Sequence, residues 1–272
     1  MIIDGKSIAE NILKQCREDA ARLSRTPSFA AIAIEPSSAT ESYLRIKKHQ
    51  AKRAGIEMEM IVPEAATTES LLELIANDTH DALIVQLPLP ESIDTARVLA
   101  AIPPEKDADV LSLRTREARM LVHPIVAAVS TILDEADVSP AGMHSLVIGK
   151  GWLVGQPVSA WLAAEGANVT VVTREAGDFS EAARHADLIV SGAGVAGLLK
   201  PEHVKDGAVV IDVGTSELGG SLAGDADPQI AEKAAVFTPV PGGVGPVAVA
   251  CLMRNVVKLA AGRDLQQGEN PV

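Results

Sequence analysis

Cysteine is almost missing from this chain: Cys16 and Cys251 are the only two, with no CxxC and no metal-ligand spacing. That excludes a disulfide framework and fits reduced, buried thiols in a reducing compartment. The six histidines are scattered, without HExxH or a related pair, so no metal site is expected. Long apolar runs are absent too. No stretch approaches the roughly 18 uninterrupted apolar residues of a membrane span, and "MIIDGKSIAENILKQ" lacks the basic and apolar regions of a signal peptide. Positive charge is in deficit: a formal net charge of −12 argues against nucleic acid or anionic lipid as the main partner, although it says nothing about a single cleft. The expectation is a soluble, cytoplasmic protein that binds neither nucleic acid nor membrane.

What the chain does have is a core. Hydrophobic residues make up 47% of its 272 positions, enough for one large domain or two ordinary ones. Short strand-like runs at 29–34, 57–62 and 82–87 alternate with helical stretches near 42–54 and 67–77, a βαβαβ pattern that predicts a parallel sheet. A helix follows to about residue 135, and the pattern restarts with strands at 145–148, 168–173, 187–190 and 208–213. Two α/β lobes are expected, with a boundary between 115 and 140. The stretch 247–261 reads as a helix, and 262–272 as a mobile tail.

Several residues resist a purely structural reading. Gln86 ends the apolar strand of "DALIVQLPLP", where an unpartnered buried amide would cost roughly 1–3 kcal/mol. Ligands of open α/β sheets bind beyond the carboxyl ends of strands, so Gln86 is expected at a cavity, the alternative being an amide paired structurally to loop backbone. On a helical wheel of "ESYLRIKKHQAKRAG", Arg45, Lys48, His49 and Lys52 form the solvated side. Tyr43, Ile46, Lys47, Gln50, Ala51 and Ala54 form the opposite, apolar side. Lys47 thus lies on the face that should be buried, one turn from Tyr43, the only tyrosine. Snorkelling is the ordinary explanation; the alternative is a lysine of lowered pKa that transfers protons. In "PPEKDADVLSL", Asp107 and Asp109 are either turn formers or a carboxylate that accepts hydrogen bonds from an amino-substituted heterocycle.

In the second lobe, "SLVIGKGWLVGQPVSAWLAAEG" reads as strand, glycine-rich turn and helix. Gly149, Gly151 and Gly155 form GxGxxxG, one residue longer than the usual dinucleotide fingerprint, and N–H groups there can receive a pyrophosphate. At the end of the next strand, Arg174 suits a 2′-phosphate, whereas Glu175 turned inward would favour a 2′-hydroxyl. Lys150 adds a second positive charge. "ADLIVSGAG" and "VVIDVG" bring small residues, Gly192 and Gly214 among them, to two more strand ends.

"FTPVPGGVGPVAVACLMRNVV" resembles the signature loop of the methylenetetrahydrofolate dehydrogenase/methenyltetrahydrofolate cyclohydrolase family. The resemblance extends through "DGKSIAENI", "SYLRIK", "VQLPLP", "KDAD", "VIGKGWLVGQP" and "VVIDVG", in the family's order over nearly the whole chain. It implies a two-lobed α/β subunit, usually dimeric: an N-terminal catalytic lobe (1–122), a Rossmann-like NADP-binding lobe (123–246) and folate in a cleft between them. The helix at 247–261 would return to the first lobe. By the same resemblance Tyr43 packs on the folate rings, Lys47 serves chemistry, Gln86 holds Lys47, and Asp109 binds the pterin amino group. Pro241, Gly242 and Gly243 join the substrate site. Gly149, Lys150, Gly151, Val154, Gly155, Arg174, Gly192 and Gly214 form the cofactor set. The implied activity is NADP-dependent oxidation of 5,10-methylenetetrahydrofolate and hydrolysis of the methenyl product. The alternatives are a dehydrogenase without cyclohydrolase activity and a weakly catalytic binding homologue. The departures are local. Val110 follows Asp109 where the family has Gly or Ala, "LVHPIVAA" replaces a Pro-Cys-Thr-Pro segment, "VIDVGTSE" lacks the family's Gly-Ile-Asn, and Ala248 stands where Thr is common.

Overall fold

The computed structural model describes residues 1–173, 179–218 and 221–268. The chain opens with α1 (Gly5–Ala20) and then alternates β1 (Ser28–Ile32), α2 (Ser38–Arg53), β2 (Glu57–Ile61), α3 (Thr68–Asn77) and β3 (Ala82–Val85). These strands form a parallel sheet of order β2-β1-β3. Both β1 and β3 are buried almost throughout, which explains their unbroken apolar runs. At the sheet's edge, β2 alternates at its start instead. Two short helices follow, α4 (Thr95–Ala101) and α5 (Leu113–Ala118). Between them the segment at 106–108 runs beside β3, with Leu83 N donating to Lys106 O at 2.7 Å.

Next come α6 (Pro124–Glu135), β4 (His144–Ile148), α7 (Gly155–Ala164), β5 (Asn168–Val172), α8 (Ser180–His185), β6 (Leu188–Ser191) and β7 (Val209–Asp212). A hairpin of β8 (Ser216–Leu218) and β9 (Ser221–Ala223), the short β10 (Val236–Phe237) and the long α9 (Val244–Gly268) complete the chain. The second sheet is parallel, in the order β10-β7-β6-β4-β5. After β5 the chain crosses back to the other side of β4, so strand order reverses between β4 and β6. That reversal is where doubly wound sheets bind their ligands.

Two compact units result: Glu10–Pro124 with the chain from Val249 onward, and Met1–Ala9 with Ile125–Ala248. The first nine residues, read from sequence as part of the N-terminal lobe, thus cluster with the other unit. The reason is backbone pairing: Ile3 N donates to Phe237 O and Phe237 N to Met1 O, both at 2.9 Å, which continues the second sheet past β10. The last helix is also longer than its apolar stretch suggests. It begins at Val244 and continues through Gly268, taking in seven residues of the expected tail; the rest of that tail lies outside the described residues. Long and apolar enough to cross a bilayer, α9 is nevertheless 72% buried within the fold over its most apolar window, as a core helix should be.

Candidate active site

Lys47 is buried, with only 5% of its surface exposed. The buried stripe of α2 is Leu44, Lys47 and Ala51, rotated from the face drawn on the wheel. Leu44 takes the core position at 0% exposure, whereas Ile46 (50%) and Tyr43 (38%) remain accessible. Ser37 starts the helix by accepting from Thr40 N at 3.2 Å, which fixes the register that turns Lys47 inward. Its ammonium donates to Gln86 Oε1 at 3.0 Å and lies 4.9 Å from the centre of the Tyr43 ring. Gln86 Nε2 donates to Leu87 O at 2.9 Å. A flipped amide would set NH2 against the ammonium and oxygen against a carbonyl, so only one orientation satisfies both contacts.

The two loop aspartates separate cleanly. Asp107 is fully buried and accepts from Leu111 N (3.3 Å), Ser112 N (2.9 Å) and the Thr115 hydroxyl (2.8 Å). Those bonds organise the start of α5. Asp109, two residues on, is half-buried and close enough to Lys47 for their charges to interact. The sequence brought up Tyr43, Lys47, Gln86 and Asp109 as candidates, and the fold brings them together. Val110 sits at φ +54°, a left-handed backbone that a β-branched residue rarely adopts and that glycine would adopt freely.

Burial lowers the pKa of Lys47, with Asp109 opposing, and raises that of Asp109, with Lys47 opposing. Although the Tyr43 ring stays part-exposed, desolvation of its hydroxyl, aided by the charge of Asp109, pushes the phenol up to about 12, so it stays neutral. Burial makes the Lys47 ammonium a stronger acid than an exposed lysine; held by a neutral amide and flanked by a planar ring, it gives up and takes back a proton more readily.

The glycine turn follows β4. Gly149 lies at φ +107°, and a Cβ there would fall 2.7 Å from Gly192 O. At Gly155 a Cβ would fall 2.1 Å from Gly149 O, and at Gly192 it would fall 2.4 Å from Val154 Cγ1. Gly149 and Gly155 are glycine because backbone packs on backbone, and Gly192 because the Val154 side chain fills the space of a Cβ. Gly151 faces open space, and Lys150 is exposed. Val154, the residue before α7, makes no side-chain cap. Gln156 N donates to Gly151 O at 3.1 Å and Pro157 has no N–H, so Gly155 is the first-turn donor left for an anion. This arrangement fits a pyrophosphate. Arg174 and Glu175 lie outside the described residues. Pro241, Gly242 and Gly243 form the turn before α9, where Gly243 N donates to Pro239 O at 2.7 Å. A Cβ on Gly5 would fall 1.8 Å from Gly243 O, which explains the glycine in "DGKS". This turn and the cofactor set belong to the unit of Met1–Ala9 and Ile125–Ala248, whereas Tyr43, Lys47, Gln86 and Asp109 belong to the other.

Three residues escaped the sequence reading. Asn255, buried in α9, donates from Nδ2 to Ala108 O and Val122 O, both at 2.9 Å. Asp212, at the carboxyl end of β7, and Asp225, after the β8–β9 hairpin, are buried carboxylates. Burial foremost, with the charge of Asp225 adding, pushes Asp212 up to about 7 against the pull of its N–H partners. A carboxylate closing the apolar run "VVID" was the available signal. Two surface hollows, one along β2 and one beside α6 and α7, contain none of the predicted residues. Among the described residues no group of three or more His, Cys, Asp or Glu could hold a metal ion.

Two family models match. The tetrahydrofolate dehydrogenase/cyclohydrolase catalytic domain covers residues 3–109, and the NAD(P)-binding domain of the same family covers 124–264. The bifunctional protein FolD of Methanospirillum hungatei is 37% identical, over 97% of this chain and 98% of its own. A crystal structure of the bifunctional FolD dehydrogenase/cyclohydrolase from Campylobacter jejuni superposes with a TM-score of 0.91 at 30% identity, covering 97% of this chain and 99% of that one. The FolD enzyme of Trypanosoma brucei, complexed with NADP and an inhibitor, gives 0.90 at 33% identity, covering 97% and 98%. With the buried lysine, its amide partner and the glycine turn all in place, the chain belongs to the tetrahydrofolate dehydrogenase/cyclohydrolase family.

Proposed function

We propose that this protein oxidises 5,10-methylenetetrahydrofolate with NADP and hydrolyses the resulting methenyl form to 10-formyltetrahydrofolate. The observation that carries this reading is the buried Lys47–Gln86 hydrogen bond beside the Tyr43 ring. In the first step hydride leaves the one-carbon bridge of the folate, and NADP, when bound, supplies the carbon that accepts it. Geometry does most of this work, since donor and acceptor carbons must meet at about 3–3.5 Å. In the second step water adds to the methenyl carbon, and Lys47, once neutral, takes the proton that water loses. The bond from that carbon to N5 then breaks, N5 takes a proton, and the carbon remains on N10 as the formyl group. Tyr43 offers a face for the folate rings, and Asp109 accepts from the pterin amino group. Pro241, Gly242 and Gly243 complete the proposed substrate set.

For the dinucleotide, Gly149, Gly151, Val154 and Gly155 cradle the pyrophosphate, with Lys150 adding charge. Gly192 and Gly214 allow close approach at two strand ends, and Arg174 grips the 2′-phosphate. The working unit is a cytoplasmic homodimer whose partners are tetrahydrofolate derivatives, neither nucleic acid nor membrane. The test follows NADP reduction with methylenetetrahydrofolate and, separately, the decay of methenyl absorbance. Both activities are expected. No NADP reduction would overturn the dehydrogenase reading, and a persistent methenyl signal would overturn the hydrolase.

A further inference from the structure

Asp212 and Asp225 interlock. Asp212, the last residue of β7, accepts from Gly214 N (2.9 Å) and Asp225 N (3.2 Å) at Oδ1, and from Ala226 N (2.8 Å) at Oδ2. Asp225 follows the β8–β9 hairpin. It accepts from the Ser191 hydroxyl and Ala193 N at Oδ2, and from Val195 N at Oδ1, each at 2.7 Å. Each carboxylate lies against a glycine beside its partner. A Cβ on Gly214 would fall 2.0 Å from Asp225 Cγ, and one on Gly224 would fall 2.1 Å from Asp212 Oδ2. Six hydrogen bonds therefore knit the end of β7, the loop after β6 and the segment after β9 into one body.

That body reaches the glycine turn. Ser191 and Ala193, both held by Asp225, flank Gly192. Gly192 is the residue whose carbonyl abuts Gly149 and whose Cα faces Val154. Two carboxyl groups buried side by side are unfavourable for folding, and no catalytic step proposed above uses either of them. A role in placing the loops accounts for their position.

We infer that Asp212 and Asp225 are positioning residues for the dinucleotide: together they hold the loop after β6 against the glycine turn, so that the phosphate and nicotinamide sides of the cofactor site keep one spacing. The inference rests on the proposed NADP binding. It makes a specific demand, that weakening the clasp harms cofactor binding and spares folate hydrolysis, which needs no NADP.

Asp225→Asn is the direct variant. An amide keeps one acceptor oxygen, and its NH2 must face at least one N–H that now donates to a carboxylate. Ser191→Ala is the mild variant, which removes a single bond and leaves the backbone free to fold. NADP affinity is measured by titration calorimetry, methenyl hydrolysis by absorbance without NADP, and folding by thermal melting. Asp225→Asn should raise the Kd for NADP tenfold or more, and Ser191→Ala severalfold, while hydrolysis stays within twofold of the parent. If Asp225→Asn does not fold, the Ser191→Ala result decides alone. Unchanged NADP affinity in the folded variants, or an equal loss of hydrolysis and NADP binding, would overturn the inference. A parent protein that binds no NADP would instead refute the proposed function.

Discussion

Lys47 works against the fold's stability while serving its chemistry. Its pKa is lowered by burial, so between that value and the ordinary 10.5 the unfolded chain binds more protons than the native one. Stability contributed by this residue therefore rises with pH across that window, and the penalty is largest below it. Lys47→Met keeps the stem and removes the charge. It should abolish methenyl hydrolysis while raising stability at neutral pH by on the order of 1 kcal/mol, since burying a charge costs more than burying a methyl group. Denaturant unfolding beside the absorbance assay checks both halves, and a variant that hydrolyses at the parent rate removes Lys47 from the mechanism. Gln86 acts on the same titration. Its carbonyl accepts from the charged ammonium and so favours protonation. Gln86→Leu should lower the lysine's pKa further and move the rising limb of the pH–hydrolysis profile to lower pH. A limb that stays in place, or moves up, contradicts that role.

At the scale of elements, the Asp109 loop is held from three directions. The Asp107 carboxylate gathers the start of α5, Ala108 N donates to Leu83 O of β3 at 3.4 Å, and Asn255 of α9 binds Ala108 O. Asn255→Leu keeps the bulk but leaves two carbonyls without their donor. At roughly 1 kcal/mol or more for each, it should lower stability by about 2 kcal/mol and raise the KM for folate while the KM for NADP holds. Equal rises in both constants would mean general loosening rather than displacement of Asp109. Seven of the eight described strands in the two parallel sheets were legible within one or two residues, the buried β1, β3, β6 and β7 because doubly covered strands are written as continuous apolar runs. The eighth, β10, only two residues long, was missed. Lys47 was legible as a charge on an apolar face. Asn255 has the same kind of misfit in "CLMRNVV", but its partners are main-chain carbonyls 147 and 133 positions away, which no local spacing displays. Asp107 and Asp109 looked alike for a related reason: what tells them apart is which backbone N–H groups face each carboxylate. The wheel erred by a fraction of a turn because Leu44, flanked by polar residues, carries more apolar area into the core than Ile46.

For the whole molecule, the order of the chain and the order of the units disagree, and that has a measurable consequence. A cut after residue 122 looks natural from the sequence, yet it removes α9 from the unit formed by Glu10–Pro124. From Val249 to Ala260 that helix buries Val249, Leu252, Met253, Val256, Val257 and Leu259 along with smaller residues. At about 1.5–3 kcal/mol for each large side chain, the loss is on the order of 10 kcal/mol, comparable with the whole stability of a typical domain. A fragment of residues 1–122 should therefore fail to fold. Joining residues 249–268 to residues 10–124 through a flexible linker should restore a cooperative thermal transition, because a linker's closure entropy grows only slowly with its length. Circular dichroism melts of the two fragments compare them directly. A cooperative transition in 1–122 alone would show that α9 contributes far less than its buried area implies. Failure of the linked fragment would mean that this unit cannot hold its core without residues 125–248.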